Sequence, residues 1–190
     1  SLPENQFYSG LAEAFKTAIL YDKELFNIFK NESEKIKNRD SSLINSIIQK
    51  CVKAKALVVE KDFTEKNIRS YLNLGHTYGH ALETILGLGV ITHGEAVAWG
   101  IGRQACLALK KEYCKESYAN EILEILSLYG WETNAIPEII QGGGFGERLI
   151  SAMKKDKKNL DENIRLIISK ELTETIIEEF SEADILSVIK

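Results

Sequence analysis

A chain of 190 residues, 44% hydrophobic and 27% charged, lies in the ordinary globular range and can bury roughly 70% of the surface its unfolded form exposes without disulfide or metal staples. Its 28 acidic and 24 basic residues leave a net charge of -4, which argues against sequence-independent binding of nucleic acid. No apolar run approaches the roughly 18 residues of a membrane span, so a soluble protein is expected.

Helix formers dominate, and proline occurs only at positions 3 and 137, so the fold class is mainly α: a multi-helix domain with a small two-stranded extended patch near the C-terminus. Cys51, Cys106 and Cys114 are odd in number and lie inside helical patterns. They read as free thiols of a reducing compartment rather than as a disulfide framework, and no pair has the Cys-x-x-Cys spacing of a zinc finger. The chain opens Ser1-Leu2-Pro3-Glu4, with neither a starting methionine nor a basic-then-apolar leader, and reads as a piece of something longer.

Pro3 suits the first turn of a helix, and Phe7, Leu11, Ala14, Phe15, Ala18 and Ile19 follow with helical period, which predicts one helix from Glu4 to Phe29. Glu13 and Lys16, three apart, share a face beside apolar positions. Spacing alone makes them an ordinary surface ion pair. The charge-rich Asn31–Asp40 stretch reads as a loop with exposed helix ends. Asp40, Ser41 and Ser42 then offer caps for a helix through Leu43, Ile44, Ile47, Ile48, Cys51 and Val52 toward Val59. Lys55 falls on its apolar side, where a lysine either snorkels to water or points its ammonium into an anion pocket. Lys61 to Ser70 is polar and turn-like. Arg69, near its end, is either a solvated charge or a carboxylate clamp.

The stretch from Leu72 to Gly94 holds every histidine of the chain: His76, His80 and His93 fall within 18 residues. Such clustering of the commonest metal ligand points to a metal or acid/base site, set against three separate core or surface residues. A helix from Leu72 to about Leu86 would contain Gly75 and Gly79, each costing about 1 kcal/mol relative to alanine, so something must approach its backbone closely. His76 and His80, at i and i+4, match the spacing of zinc-binding His-Glu-x-x-His helices, but Thr77 stands where that motif carries its catalytic glutamate. A metalloprotease is thereby rejected. Thr92-His93-Gly94-Glu95 fits a capping box that places His93 at the first position of a helix running to about Lys111.

A short helix covers Leu123 to Leu128, closed by Gly130 and Trp131. The glycine-rich run from Gln141 to Gly146 does not satisfy G-x-G-x-x-G and follows a poor strand, so it reads as a linker or helix start. Glu147 to Met153 is helical. The run Lys154-Lys155-Asp156-Lys157-Lys158-Asn159 is a solvated face unless folded against other polar groups. Alternation at Ile164, Leu166 and Ile168 and within Thr173–Phe180 predicts the two strands, and Ser181 caps a final helix to Lys190.

Taken together, Gly10-Leu11-Ala12-Glu13-x-x-Lys16, Lys55, Arg69, LNLGHTYGHALE, THGEAVAWG and Asp156-Lys157-Lys158 occur in one order with compatible gaps, and in this the chain resembles the C-terminal domain of the 3-dehydroquinate synthase family over almost its whole length. The resemblance implies a metal held by Glu13, His76 and His93, two imidazoles and a carboxylate with an open position, as in catalytic zinc sites. It implies Zn2+, with Co2+ as a substitute. It leaves His80 and Lys16 as catalytic groups, His80 on the phosphate side for proton traffic and Lys16 toward the ring hydroxyls. Lys55 and Arg69 would receive the substrate carboxylate, and Asn73 with Lys157 or Lys158, Lys157 preferred, would lie on the phosphate side.

The implied reaction converts 3-deoxy-arabino-heptulosonate 7-phosphate to 3-dehydroquinate and phosphate, a lyase step of the shikimate pathway to chorismate and the aromatic amino acids. In it NAD oxidises a ring hydroxyl, phosphate is eliminated, hydride returns, and the ring opens and recloses by an aldol step. Two departures stand out: Phe63 where the family shows an acidic residue, and Asn67 where it shows glycine. No βαβ unit or nucleotide fingerprint occurs, so residues 1–190 are expected to be one metal- and substrate-binding domain, with no cofactor-binding residues for NAD and inactive in isolation. The expected partners are the phosphorylated sugar acid, an N-terminal NAD-binding domain absent from this chain and, in full-length form, a second copy in a cytoplasmic homodimer. Nucleic acid and membrane are not expected. Other readings are a sibling sugar phosphate cyclase, a metal-dependent glycerol-type dehydrogenase, whose HGE-x-V-A-x-G pattern is shared, or a non-catalytic metal-binding helical module. Lys55 with Arg69 argues against the first two.

Overall fold

The computed structural model describes residues 2–62, 68–87, 89–156 and 163–189. Phe63, Asn67, Lys157 and Lys158 lie outside the described residues. Among the described residues the architecture is mainly helical, with one antiparallel hairpin near the C-terminal end, and no described helix is long and apolar enough to cross a membrane.

Helix α1 spans Glu4–Tyr21 and α2 spans Lys23–Asn31. The single helix expected over this stretch is broken at Asp22, whose backbone is extended and whose Oδ1 accepts the Leu25 N–H at 2.9 Å. A short carboxylate offers the amides of a new first turn a partner, and the chain restarts there instead of continuing. Within the stretch read as a loop, α3 (Ser33–Lys37) forms one further turn, anchored by the buried Ile36. Helix α4 (Ser41–Lys61) starts as expected at Asp40, which accepts the Leu43 N–H at 2.8 Å.

A 3-10 helix over Ile68–Asn73 precedes α5 (His76–Leu86), so the helix expected from Leu72 begins four residues later. The reason is Gly75, which sits at the N-cap with φ +82°, a left-handed conformation that no ordinary helical residue adopts. Helix α6 (His93–Lys110) has the predicted capping box: Thr92 Oγ1 accepts the Glu95 N–H, and the Glu95 carboxylate accepts the Thr92 N–H at 2.6 Å. Helices α7 (Glu116–Leu128) and α8 (Phe145–Asp156) follow, and the glycine-rich run leads into the start of α8. Strands β1 (Ile164–Glu171) and β2 (Glu174–Phe180) pair with Ile164 opposite Phe180 and Ile168 opposite Ile176. The turn between them is tied to α1, the Thr173 N–H donating to the Ile19 carbonyl at 2.9 Å. The last helix, α9 (Glu182–Leu186), is shorter than expected and is capped by Ser181 and Asp184. The three cysteines are free, and Cys114 lies in the turn after α6 rather than in a helix.

Two apolar cores share α6 as their common wall. Phe15, Phe26, Phe29, Tyr129 and Trp131 build the first, into which α6 sends Val97, Ala98 and Ile101. The second gathers α8, β1 and α9 around Tyr78 and Trp99, with Leu107 and Ala108 from α6. A helix with apolar residues facing both ways must be buried on nearly every side, and the described α6 residues from Ala96 through Ala105 are all buried.

What approaches the glycines flanking the histidines is this same α6. A Cβ on Gly100 would stand 2.0 Å from the Gly75 carbonyl oxygen, and one on Gly94 would stand 2.3 Å from the Ser9 oxygen in α1. Both contacts are with backbone, which cannot swing aside as a flexible side chain can. Gly100→Ala should therefore lower the unfolding free energy by about 1–3 kcal/mol through overpacking. Gly10→Ala, with nothing within 4 Å of the added methyl, should raise it by about 0.5–1 kcal/mol through helix propensity. Urea unfolding of the two variants beside the unmodified chain checks the opposite signs.

Candidate metal and substrate site

Three helices deliver the side chains singled out in the sequence. Glu13 and Lys16 come from the middle of α1, His76 and His80 from the first turns of α5, and His93 from the first residue of α6. The ring centroids of His76 lie 5.3 Å from His80 and 5.1 Å from His93, and those of His80 and His93 are 5.7 Å apart. One nitrogen from each of the three rings lies within 4.8 Å of the others. The reading of three separate core or surface histidines is thereby excluded.

Glu13 completes the arrangement. Its Oε1 stands 3.9 Å from Nε2 of both His76 and His93, and it is a buried oxygen with no hydrogen-bond partner. Its Oε2 accepts from Lys16 Nζ at 2.7 Å. The pair is not the surface ion pair that spacing alone suggests, because Lys16 is only 4% exposed. Burial is the main force lowering the Lys16 pKa. The Glu13 carboxylate opposes it, and the Lys55 cation adds to it.

The two imidazoles are oriented from behind. His76 Nδ1 is 3.1 Å from the Leu74 carbonyl, an acceptor only, so Nδ1 carries the hydrogen and Nε2 presents its lone pair toward Glu13. Burial, and then the charge of Lys16, pushes the His76 pKa down to about 4, and the ring is neutral at neutral pH. His93 Nδ1 lies 3.3 and 3.4 Å from the two carboxylate oxygens of Glu83. An unpartnered buried carboxylate oxygen facing two Nε2 atoms is the chemistry of a cation site. At metal–ligand bonds of about 2.0–2.2 Å, one ion reaches atoms up to roughly twice that distance apart, and 3.9 Å lies inside this limit.

Beside the cluster, α1, α4 and the 3-10 helix enclose a cavity of about 560 Å³ whose walls include Glu13, Lys16, Lys55, Asn73 and His76. Cys51 also lines it, its thiol pushed up to about 11 chiefly by burial, which leaves it protonated and a poor nucleophile at neutral pH. Arg69 lies four residues before Asn73 on the 3-10 helix. It is not among the described residues lining this cavity, and its backbone N–H donates to Oδ2 of the buried Asp62 at 3.0 Å. Two positioned residues escaped the sequence reading. Glu83, seven after His76 and three after His80, could have been found from helical spacing. Gln104, whose Oε1 accepts the Gly75 N–H at 2.5 Å, left no signal, since its partner is 29 residues away.

A family profile described as 3-dehydroquinate synthase C-terminal matches residues 10–159. The 3-dehydroquinate synthase of Dictyoglomus thermophilum is 36% identical over 191 residues, covering 100% of this chain and 52% of the relative. That of Shewanella pealeana is 38% identical over 168 residues, covering 88% and 45%. The chain thus spans about half the length of the curated relatives it matches. Among solved structures, 2-epi-5-epi-valiolone synthase from Streptomyces hygroscopicus subsp. jinggangensis 5008, with NAD+ and Zn2+ bound, superposes with a TM-score of 0.83 at 17% identity. It is matched over 100% of this chain and 51% of its own. A 2-deoxy-scyllo-inosose synthase complexed with carbaglucose-6-phosphate, NAD+ and Co2+ gives 0.82 at 22% identity, over 100% and 53%. At these identities the likeness shows a shared fold.

Gln104 is 2% exposed and holds the amide at which α5 begins. Gln104→Leu should leave that buried N–H unpaired and lower stability by about 1–3 kcal/mol, as measured by denaturant unfolding of the metal-free chain.

Proposed function

The chain belongs to the 3-dehydroquinate synthase C-terminal family, and on that premise we propose that it is the metal- and substrate-binding half of a 3-dehydroquinate synthase. Its reaction would convert 3-deoxy-arabino-heptulosonate 7-phosphate to 3-dehydroquinate and phosphate. The observation that carries this reading is the unpartnered Glu13 Oε1 facing Nε2 of both His76 and His93.

In this reading Glu13, His76 and His93 hold a single zinc ion, with cobalt as a competent substitute. When bound, the metal supplies Lewis-acid polarisation of a substrate hydroxyl, and NAD, held by a separate N-terminal domain, supplies the reversible removal of hydride. Lys16 donates a hydrogen bond toward the ring hydroxyls from its place beside Glu13. His80 accepts and returns a proton on the phosphate side. Lys55 and Arg69 receive the substrate carboxylate, for which arginine's planar pair of donors is suited, while Asn73 and Lys157 lie toward the phosphate. The positions of Lys16, Lys55, Asn73 and His76 around one cavity support this division of roles. The NAD-binding half, a homodimer of the full-length form and a cytoplasmic setting belong to the same reading; the first accords with relatives about twice as long, the last with three free cysteines.

Metal analysis after dialysis against zinc should find one ion per chain. It should be lost in Glu13→Ala, His76→Ala and His93→Ala and kept in His80→Ala. Full occupancy in the His93 variant would exclude this ligand set. In the enzyme containing both halves, Arg69→Ala should raise KM for the acid substrate about tenfold to a hundredfold, the loss of one charge-assisted hydrogen bond or more. An unchanged KM would count against the carboxylate assignment, and against this substrate in favour of a cyclase acting on a sugar phosphate without a carboxylate.

A further inference from the structure

We propose that Glu83 is a positioning residue for His93: its carboxylate holds the ring by Nδ1, keeps Nε2 free of hydrogen, and returns to the cluster the negative charge that Lys16 cancels. The inference rests on the metal reading above for its purpose, although the hydrogen bond on which it stands is a property of the chain itself.

His76 and His93 reach the cluster by different routes. The His76 side chain is 15% exposed, and its Nδ1 meets a main-chain carbonyl two residues earlier in sequence. Packing and local geometry hold that ring. The His93 side chain is 44% exposed and stands on the first residue of its helix, where little packing fixes χ2. A hydrogen bond from the far side of the ring must do so instead. Glu83 supplies it from the neighbouring helix, with Nδ1 placed almost evenly between its two oxygens at 3.3 and 3.4 Å. An ionised carboxylate only accepts, so the hydrogen resides on Nδ1, and in the neutral imidazole this leaves the lone pair on Nε2, the nitrogen that faces Glu13.

Charge gives the second reason. Glu13 and Lys16 form a close ion pair at 2.7 Å, so the carboxylate facing the histidines is already neutralised and its lysine repels an incoming cation. Glu83 adds to the cluster a second carboxylate that Lys16 does not hold. A side-chain amide here would keep the hydrogen bond and lose the charge, which separates the two contributions.

The test uses the metal-free, isotope-labelled chain and long-range proton–nitrogen correlation spectra at mildly alkaline pH. The unmodified chain should show both His76 and His93 with hydrogen on Nδ1. In Glu83→Ala, His93 should shift toward the Nε2–H form while His76 stays unchanged. Glu83→Gln should retain the Nδ1–H form through its amide oxygen. Zinc affinity, read by competition with a chromogenic chelator, should fall about 10–100-fold in Glu83→Ala and by an intermediate factor in Glu83→Gln, with the thermal melts of the metal-free variants unshifted. A Glu83→Ala chain whose His93 tautomer and zinc affinity both match the unmodified protein overturns the proposal. So does a loss of affinity accompanied by an equal loss of metal-free stability and an unchanged tautomer, since Glu83 would then be a plain structural ion pair. If the unmodified chain shows the Nδ1–H tautomer yet takes up no zinc, the metal reading falls instead, and the purpose assigned to Glu83 falls with it.

Discussion

The site depends on how closely three helix backbones approach one another. Glu13 is 63 residues before His76 in sequence, and the packing of both α1 and α5 against α6 brings it to the histidines. Both contacts are made through glycine, at Gly94 against Ser9 and at Gly100 against Gly75. A side chain at either position would separate the helices by more than an ångström. The proposed ligands would then miss a common point even if every one of them were present, since metal–ligand bonds tolerate errors of only about 0.2 Å.

Once the helices are in place, electrostatics decides what the cluster prefers. One carboxylate serves two masters, with Oε2 on Lys16 and Oε1 turned to the histidines. Lys16 is buried at a cost that its contact with Glu13 offsets only in part, since its pKa is lowered on balance. The same cation helps keep His76 neutral. A neutral imidazole can donate a lone pair to a metal and an imidazolium cannot, so in the proposed site the lysine would prepare one ligand while competing for another.

Much of this was legible in the sequence where the interaction is local. The Thr92–Glu95 capping box, the Asp40 cap and the alternation of Ile164, Leu166 and Ile168 are set by neighbours within a few residues, and they stand as read. The break at Asp22 was missed because apolar periodicity continues across it and only the side-chain bond to Leu25 shows the restart. The start of α5 was misplaced because positive φ at Gly75 answers to a helix about 25 residues downstream. At the site, the histidine cluster could be inferred from spacing, but Glu13 and Lys16 read as a commonplace surface pair until the resemblance brought them forward. Their burial comes from tertiary packing, which i,i+3 spacing does not encode. Arg69 enters the described network through its main chain, whose N–H donates to the Asp62 carboxylate, a contact seven residues apart that no motif in the sequence announces.

The placement of α6 between two cores has a consequence for motion. Because one helix is the wall of both, neither core can open without exposing apolar surface that belongs to the other, and the chain should exchange its interior amides as a single cooperative body. His76 and His93, the proposed metal ligands, sit at the first residues of their helices, outside the most protected turns. Helix ends fray first, so an ion held as proposed, joining two such ends to the middle of α1, would act as a clasp on the part of the molecule that otherwise breathes most. Metal release and local opening would then be one event, with the interior rigid while the site stays able to load.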